Sequence, residues 1–501
     1  MARQSFDLSV YLVTNAEMVP EGIDFVTQVE RAIEGGVTIV QLREKNLETR
    51  EFIERARQVH KLTKKAGIPL IINDRVDVAL AIDCEGVHVG QDDMPVPLVR
   101  KLIGPDKIIG VSTGYVDEVK QAALDEADYI GIGAVFATQT KKLKKIPFGT
   151  EGIRRLLGAL KESNALHMKT CVIGGINGSN IQRVNLLGRI EGKKVDGFAV
   201  VSCIMANNDA KTATLALKQK IDTLPSWATP KSTRLSGDEI DASIGEKTPM
   251  VHHITNDVVK NFSANVTLAV GGSPIMSECR EEFGEFASIP NSALVLNTGT
   301  LTDAKMDIYI AAIEAYNKVG TPIVYDPVGA GASEFRRHAV RQLLNSGYFS
   351  VIKGNEGEIS AVAGLTKQMK GVDNVGSSSI DDIVEMAKKV AYDNKCVVVV
   401  TGVADVVAGC VFSGEDEPDL EYKIIQGGHP MMGQITGTGC SLGSAIAVSV
   451  AANPESPFYA TVRAVEKYKE AGKVAGTLAS GTKGPGTFVT SFLDALATRG
   501  Q

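Results

Sequence analysis

The chain has 501 residues, more than one ordinary hydrophobic core sustains, so two or more domains are expected. Hydrophobic residues at 44% and charged residues at 22% are ordinary globular composition. The net charge of −6 is uneven: residues 1–240 hold 32 basic and 30 acidic side chains, the rest 21 and 29, and neither half has the basic stripe of a nucleic-acid binder.

The seven cysteines (84, 171, 203, 279, 396, 410 and 440) are scattered, odd in number and without a C-x-x-C pair. That excludes a disulfide scaffold or zinc ribbon and points to a reducing, cytoplasmic setting. The opening MARQSFDLSVYLVTN lacks a charged region followed by a long apolar core, so no signal peptide is expected. The longest apolar stretch, 396–412, is broken by Thr401, Gly402, Asp405 and Gly409 and is too short to cross a bilayer. Fifty glycines suggest tight turns and close backbone approach to phosphates.

In chain order, the first half shows short apolar runs at 9–13, 38–42, 69–73, 86–90, 107–112, 129–136, 170–175 and 197–202. Between them lie amphipathic stretches such as 25–36 and 51–67, with apolar spacing near 3.6 and a closing glycine. Eight β–α alternations predict an N-terminal (β/α)8 TIM barrel, with a doubly wound open sheet as the rival. From Leu224 to Pro249 the text turns rich in Pro, Ser, Thr, Gly and charge. The expected division is a domain at 1–223, a linker at 224–244 and a second domain at 245–501, with Trp227 packing the linker onto one of them.

The second half predicts strands at 293–299, 322–329, 348–355 and 396–402, and a strand pair at 406–412 and 422–428 around the acidic turn SGEDEPD. Residues 366–380 read as a surface insertion and 458–479 as a helix. The expected fold is a three-layer α/β/α domain around a mainly parallel sheet.

Functional groups of such a barrel gather where strands end. There stand Gln41, Arg43 and Lys45; Asn73 and Asp74; Asp92 and Asp93; Ser112; Thr138, Gln139, Thr140 and Lys141; Gly174 and Gly175; Val201 and Ser202. Carboxylates from neighbouring strand ends suit Mg2+, which prefers oxygen ligands. Arg43, Lys45 and Lys141 suit a diphosphate, and the glycine-rich ends of the last two strands suit a second phosphate. Two anion sites imply two phosphorylated substrates. Singly, each signal has an ordinary reading as a turn, a cap or a solvated loop; the conjunction at five or more strand ends carries the weight.

The ordered set QLREK (41–45), ND (73–74), GVHVGQDD (86–93), GVS (110–112), T-x-TK (138–141), GGI (174–176) and VVS (200–202) resembles thiamine-phosphate synthase over residues 7–222. The resemblance implies condensation of hydroxymethylpyrimidine diphosphate with a thiazole phosphate. It assigns Gln41, Arg43, Lys45, Asn73, Ser112 and Lys141 to the pyrimidine diphosphate, and Asp74 and Asp93 to Mg2+. Thr138, Gln139, Thr140, Gly175, Val201 and Ser202 fall to the thiazole phosphate, and Lys141 is also a catalytic candidate.

No P-loop occurs in the second half. Instead Thr436-Gly437-Thr438-Gly439-Cys440 precedes an Ala-rich stretch, a pattern that turns backbone N–H groups toward an anion. Asp326 and Glu358 each follow a predicted strand and could help hold Mg2+. Residues 251–276, DPVGAGAS (326–333), KGNEGEI (353–359), VTG (400–402) and TGTGC (436–440) together resemble hydroxyethylthiazole kinase of the ribokinase-like group over about 245–498. That implies thiazole contacts from Met276 and Gly437, ATP contacts from Lys353 and Thr401, and Mg2+ at Asp326 and Glu358. Cys440 stands where ribokinase-like enzymes generally carry an Asp base, so it is either a weak catalytic base or a structural residue. His252 and His253 read as core or helix-entry residues.

Synthase followed by kinase resembles the fungal bifunctional thiamine-biosynthesis enzymes. It implies small-molecule substrates, ATP as co-substrate, no nucleic-acid or membrane partner, and a homo-oligomer built on threes. Two alternatives are a catalytically inactive sensor of thiamine intermediates and a kinase that takes the pyrimidine alcohol instead.

Overall fold

The apolar runs of the first half become eight strands: Val10–Val13, Ile39–Leu42, Leu70–Asn73, Gly86–Val89, Ile108–Thr113, Tyr129–Ile132, Lys169–Val172 and Gly197–Val200. The computed structural model describes residues 5–138, 140, 147–228, 233–365, 378–411, 419–479 and 484–497. Each of the eight strands pairs in parallel with the next, and Leu12 opposite Val200 closes the ring, so the architecture is the barrel and not the open sheet.

The pleat sorts side chains by alternate position. Val10, Leu12, Val40, Leu42, Leu70 and Ile72 face outward and pack under the helices. Tyr11, Val13, Ile39, Ile71, Ile108, Tyr129 and Cys171 fill the interior. The helices start and stop on local chemistry. Asp24 accepts from the Thr27 N–H ahead of Phe25–Glu34, and Gly67, at φ 70°, ends Thr49–Ala66 in the left-handed conformation a Cβ disfavours.

The chain folds as two compact units, Met1–Pro225 and Ser226–Gln501. In the second unit one sheet runs, in spatial order, Ser273–Met276, Met250–Ile254, Ser292–Asn297, Ile323–Asp326, Val351–Asn355, Val397–Thr401, Asp405–Val411 and Asp419–Ile425. The first six are parallel and the last two antiparallel. Val251, Val295, Val324 and Val399 pack against the helices Thr438–Ala452 and Pro457–Ala479. Ile254, Leu294, Tyr325 and Val398 pack on the other side, against Asp303–Val319, Glu334–Ser346 and Ile380–Asn394. This is the three-layer, ribokinase-like arrangement.

Two strands, Met250–Ile254 and Ser273–Met276, escaped the sequence reading. His252 and His253 break the apolar run of the first, yet both are buried core residues. Pro274 marks the second as an edge strand, where a missing N–H does no harm. Most of the expected insertion at 366–380 and most of the SGEDEPD turn lie outside the described residues.

The linker expectation needs correcting from Gly237 onward, where a helix, Gly237–Lys247, begins behind a Ser236/Glu239 capping box. Its Asp241 takes Arg463 at 2.6 Å and Lys467 at 3.3 Å, so this segment packs into the second unit. Trp227 does likewise, stacking on Tyr348 with ring centroids 3.8 Å apart. No helix of the described residues is long and apolar enough to cross a membrane.

Candidate active sites

A cavity of about 750 Å3 opens at the carboxyl ends of the barrel strands. Its lining includes Gln41, Arg43, Lys45, Asn73, Asp93, Ser112, Thr138, Thr140, Gly175, Val201 and Ser202. Lys45 forms an ion pair with Asp74. Asp74 itself holds φ at 62°, a strained setting for a residue with a Cβ and of the kind that collects at functional sites. Burial, and then the neighbouring Asp74 carboxylate, hold the Asp93 carboxyl above its ordinary range. Two carboxylates crowded in this way suit a divalent cation. Asn73 is buried, and its Nδ2 has no partner among the described residues, leaving a donor for a ligand.

On the opposite side of the cavity the backbone comes close. A Cβ on Gly175 would fall 2.5 Å from the Ala137 carbonyl, and both Gly174 and Gly175 have positive φ. The last strand passes through Val201 into a short helix, Ser202–Met205. Glycine-rich loops plus a short helix after the last strands are the usual barrel phosphate site. Gln139 and Lys141, with the rest of 141–146, lie outside the described residues.

In the second unit the functional groups stand where parallel strands end, the usual place for ligands of open α/β sheets. Asp326 closes its strand beside Asn297 of the neighbouring one. Asp326 Oδ2 accepts from Asn297 Nδ2 at 2.8 Å and lies 3.2 Å from Lys353 Nζ. Asp326 Oδ1 is buried without a partner among the described residues. Lys353 also donates to the Gly439 carbonyl at 2.9 Å, tying the glycine turn to the sheet. Glu358 accepts from the Gly329 and Asn355 N–H groups, each at 2.8 Å, which fixes the DPVGAG turn against the helix Glu356–Val362.

Burial raises the carboxyls of Asp326 and Glu358, and their mutual charge adds to the rise at Glu358. Burial works to lower Lys353, but Asp326, Cys440 and Glu358 outweigh it and hold the ammonium above its ordinary value.

Gly437 caps the helix Thr438–Ala452 at φ 99°, and a Cβ there would come 3.1 Å from Val259. The first N–H groups of a helix have no partner within it, and Gly437 caps this one without a side-chain bond, the arrangement that makes a helix start an anion cradle. Cys440 sits in this first turn, 3.9 Å from Asn256 Nδ2, and burial, then Asp326, push its thiol up to about 11. Met276 and Thr401 end their strands, half-buried, with the Thr401 hydroxyl 3.3 Å from the Gly354 carbonyl.

Compared with known proteins, the chain is 44% identical over 99% of its length to the thiamine biosynthetic bifunctional enzyme of Saccharomyces cerevisiae, covering 96% of that protein. The chain belongs to this family of thiamine biosynthetic bifunctional enzymes. The probable enzyme of that name in Schizosaccharomyces pombe is 40% identical over 99% of the chain and 95% of its own length. Family models for thiamine monophosphate synthase and for the hydroxyethylthiazole kinase family match residues 10–204 and 242–499. The thiamine-phosphate synthase of Clostridium tetani is 42% identical over 42% of the chain and 95% of its own length.

The protein is thus a thiamine-phosphate synthase and a hydroxyethylthiazole kinase on one chain, acting on small molecules. Nothing favours the inactive sensor, and Asp74, Asp93 and TGTGC are all present.

Sequence reading missed several groups at these sites. In the barrel they are Tyr11, His88 and Tyr129, and in the kinase unit Asn256 and Asn297. For Tyr129 and His88 the signal was a glycine on a nearby strand opposite each large side chain. A Cβ on Gly110 would lie 2.0 Å from the Tyr129 ring, and one on Gly131 would lie 3.1 Å from His88. For Asn297 the signal was its place at the end of LVLN, level with the end of IVYD.

Proposed function

We propose that the barrel cavity binds the pyrimidine diphosphate along Gln41, Arg43, Lys45, Asn73 and Ser112, with Lys141 completing the cationic set. The thiazole phosphate lies along Thr138, Gln139, Thr140, Gly175, Val201 and Ser202. The observation that carries this reading is the spread of one cavity from the Lys45–Asp74 pair to the glycine strand ends, room for two anionic substrates. Asp74 and Asp93 hold Mg2+, which when bound supplies positive charge to the diphosphate. The cations Arg43, Lys45 and Lys141 stabilise diphosphate as its bond to the pyrimidine methylene breaks. The resulting resonance-stabilised cation is captured by the thiazole nitrogen, and no side-chain nucleophile is needed.

In the kinase unit, Lys353 and Thr401 contact ATP, and Met276 and Gly437 contact the thiazole alcohol. Asp326 and Glu358 manage Mg2+, which when bound neutralises phosphate charge; the partnerless Asp326 Oδ1 is the oxygen that suits it. The helix turn at 437–440 cradles the transferred phosphoryl group. Cys440 stands beside the alcohol as a protonated thiol that helps orient it. The alcohol proton leaves to a phosphate oxygen or to water as the new P–O bond forms, which suffices where transfer rests on positioning and charge. Calorimetric titration of the full chain with pyrimidine diphosphate and Mg2+ tests the barrel assignment. Arg43→Ala must weaken that binding and leave ATP binding alone.

The same reading makes the protein a cytoplasmic homo-oligomer built on threes. All seven cysteines are free, which fits a reducing compartment. Val403, 94% exposed, and Val258, 75% exposed, follow the strand ends of the kinase sheet and suit burial between subunits. Sedimentation equilibrium of the full chain checks the number of subunits.

A further inference from the structure

Across the interior of the barrel, below the cavity, five polar side chains from five strands touch in series. Gln41 Nε2 donates to the Tyr11 hydroxyl at 2.8 Å. The Tyr11 and Tyr129 hydroxyls are 2.6 Å apart. Tyr129 lies 2.9 Å from His88 Nδ1, and His88 Nε2 lies 2.9 Å from Ser112 Oγ.

Gln41, Tyr11, His88 and Ser112 line the substrate cavity, and the Tyr129 that links them is fully buried behind it. Burial also raises both tyrosine hydroxyls far above their ordinary range, so both keep their protons.

The direction of the chain follows from its ends. An amide nitrogen only donates, so Tyr11 accepts from Gln41 and must place its own hydrogen on Tyr129. Tyr129 in turn donates to His88 Nδ1, because a buried hydroxyl hydrogen left without an acceptor is costly. His88 is then the Nε2–H tautomer and donates to Ser112 Oγ. The Ser112 hydrogen and the Gln41 carbonyl oxygen are left for the ligand.

We propose that Tyr11, Tyr129 and His88 are positioning residues that fix this polarity, so that the cavity offers an acceptor at Gln41 and a donor at Ser112. That polarity selects an amine-bearing pyrimidine, which presents an N–H and a ring-nitrogen lone pair, over its 4-oxo counterpart, which reverses them. The inference rests on the assignment of Gln41 and Ser112 to the pyrimidine.

The experiment is steady-state condensation by the full chain with pre-formed thiazole phosphate. It compares the 4-amino pyrimidine diphosphate with its 4-oxo analogue in wild type, Tyr129→Phe, Tyr11→Phe, Gln41→Ala and Ser112→Ala. Tyr129→Phe is expected to cut kcat/KM discrimination between the two rings by about tenfold, the worth of one buried hydrogen bond. Tyr11→Phe severs the same chain one link away and must act alike; it carries the test if Tyr129→Phe does not fold.

Nitrogen-15 NMR of histidine-labelled wild-type protein must show His88 as the neutral Nε2–H tautomer. Unchanged discrimination in both phenylalanine variants, or an Nδ1–H His88, overturns the relay. Unchanged KM for the pyrimidine diphosphate in both Gln41→Ala and Ser112→Ala overturns the underlying site assignment instead.

Discussion

Lys353 Nζ stands 3.2 Å from Asp326 Oδ2, and both side chains are buried. Neither charge is tolerable there alone, because removing one partner leaves the other uncompensated in a low-dielectric interior. The pair therefore links the integrity of the kinase sheet to its chemistry.

Asp326→Asn keeps the shape of the side chain and removes its charge. The second unit is expected to lose about 3 kcal/mol of stability, the usual cost of breaking a buried pair. Kinase turnover should fall by ~100-fold or more as electrostatic stabilisation is lost. Trp227, the chain's one tryptophan, stacks inside this unit, so its fluorescence during denaturant unfolding reads the change selectively. An unaltered Trp227 transition would remove the pair from the account of stability.

Asp93→Asn should separate the halves in the opposite sense. Condensation is expected to fall ~100-fold or more, because Asp93 lines only the barrel cavity. The rate of thiazole phosphorylation should stay within twofold, roughly the scatter expected of independent sites. Parallel assays of the two half-reactions on one preparation decide it.

How much of this was legible beforehand depended on the periodicity of each segment. All eight barrel strands could be read because every run is mostly apolar, buried on both faces, and ends in turn chemistry. The place of Arg43, Lys45, Asn73 and Asp93 on the cavity lining could be read because they stand at strand ends. Tyr11, Tyr129 and His88 could not. They sit inside the runs, and a single strand does not say which alternate face closes on a barrel interior. Gly237–Lys247 was lost to a linker because its apolar stripe is thin, with Ile240 its one fully buried side chain, although its capping box was in plain view.

His253 gives the kinase unit an acid limit. Burial lowers its pKa to about 4 in the folded chain, against an ordinary value of 6.5. The unfolded state therefore binds the proton first. The stability conferred by a neutral His253 is fully present above pH 6.5 and is lost as pH falls through 4, a total of about 3 kcal/mol. His253→Gln should flatten the slope of unfolding free energy, followed by Trp227 fluorescence, between pH 6.5 and 4. An equal slope in the variant would assign the acid limit to other groups.

Cys440 can be weighed by two substitutions. With its thiol held near 11, it accepts little charge at neutral pH, so Cys440→Ala should keep measurable turnover, within about 100-fold of wild type. Cys440→Asp should match or exceed wild type, because a carboxylate accepts the alcohol proton more readily. Complete loss in both, with ATP and thiazole binding intact by calorimetry, would make the sulfur indispensable and contradict this view.

The most direct measurement follows thiamine phosphate formed by Asp326→Asn and Asp93→Asn from two starting mixtures. One contains pyrimidine diphosphate and Mg2+ with pre-formed thiazole phosphate; the other contains the same components with thiazole alcohol and ATP. Two separate sites on one chain require Asp326→Asn to work near the wild-type rate on the first mixture and fail on the second. Asp93→Asn must fail on both while accumulating thiazole phosphate in the second. If folded Asp326→Asn lost condensation from pre-formed thiazole phosphate as well, the two-site account would be contradicted.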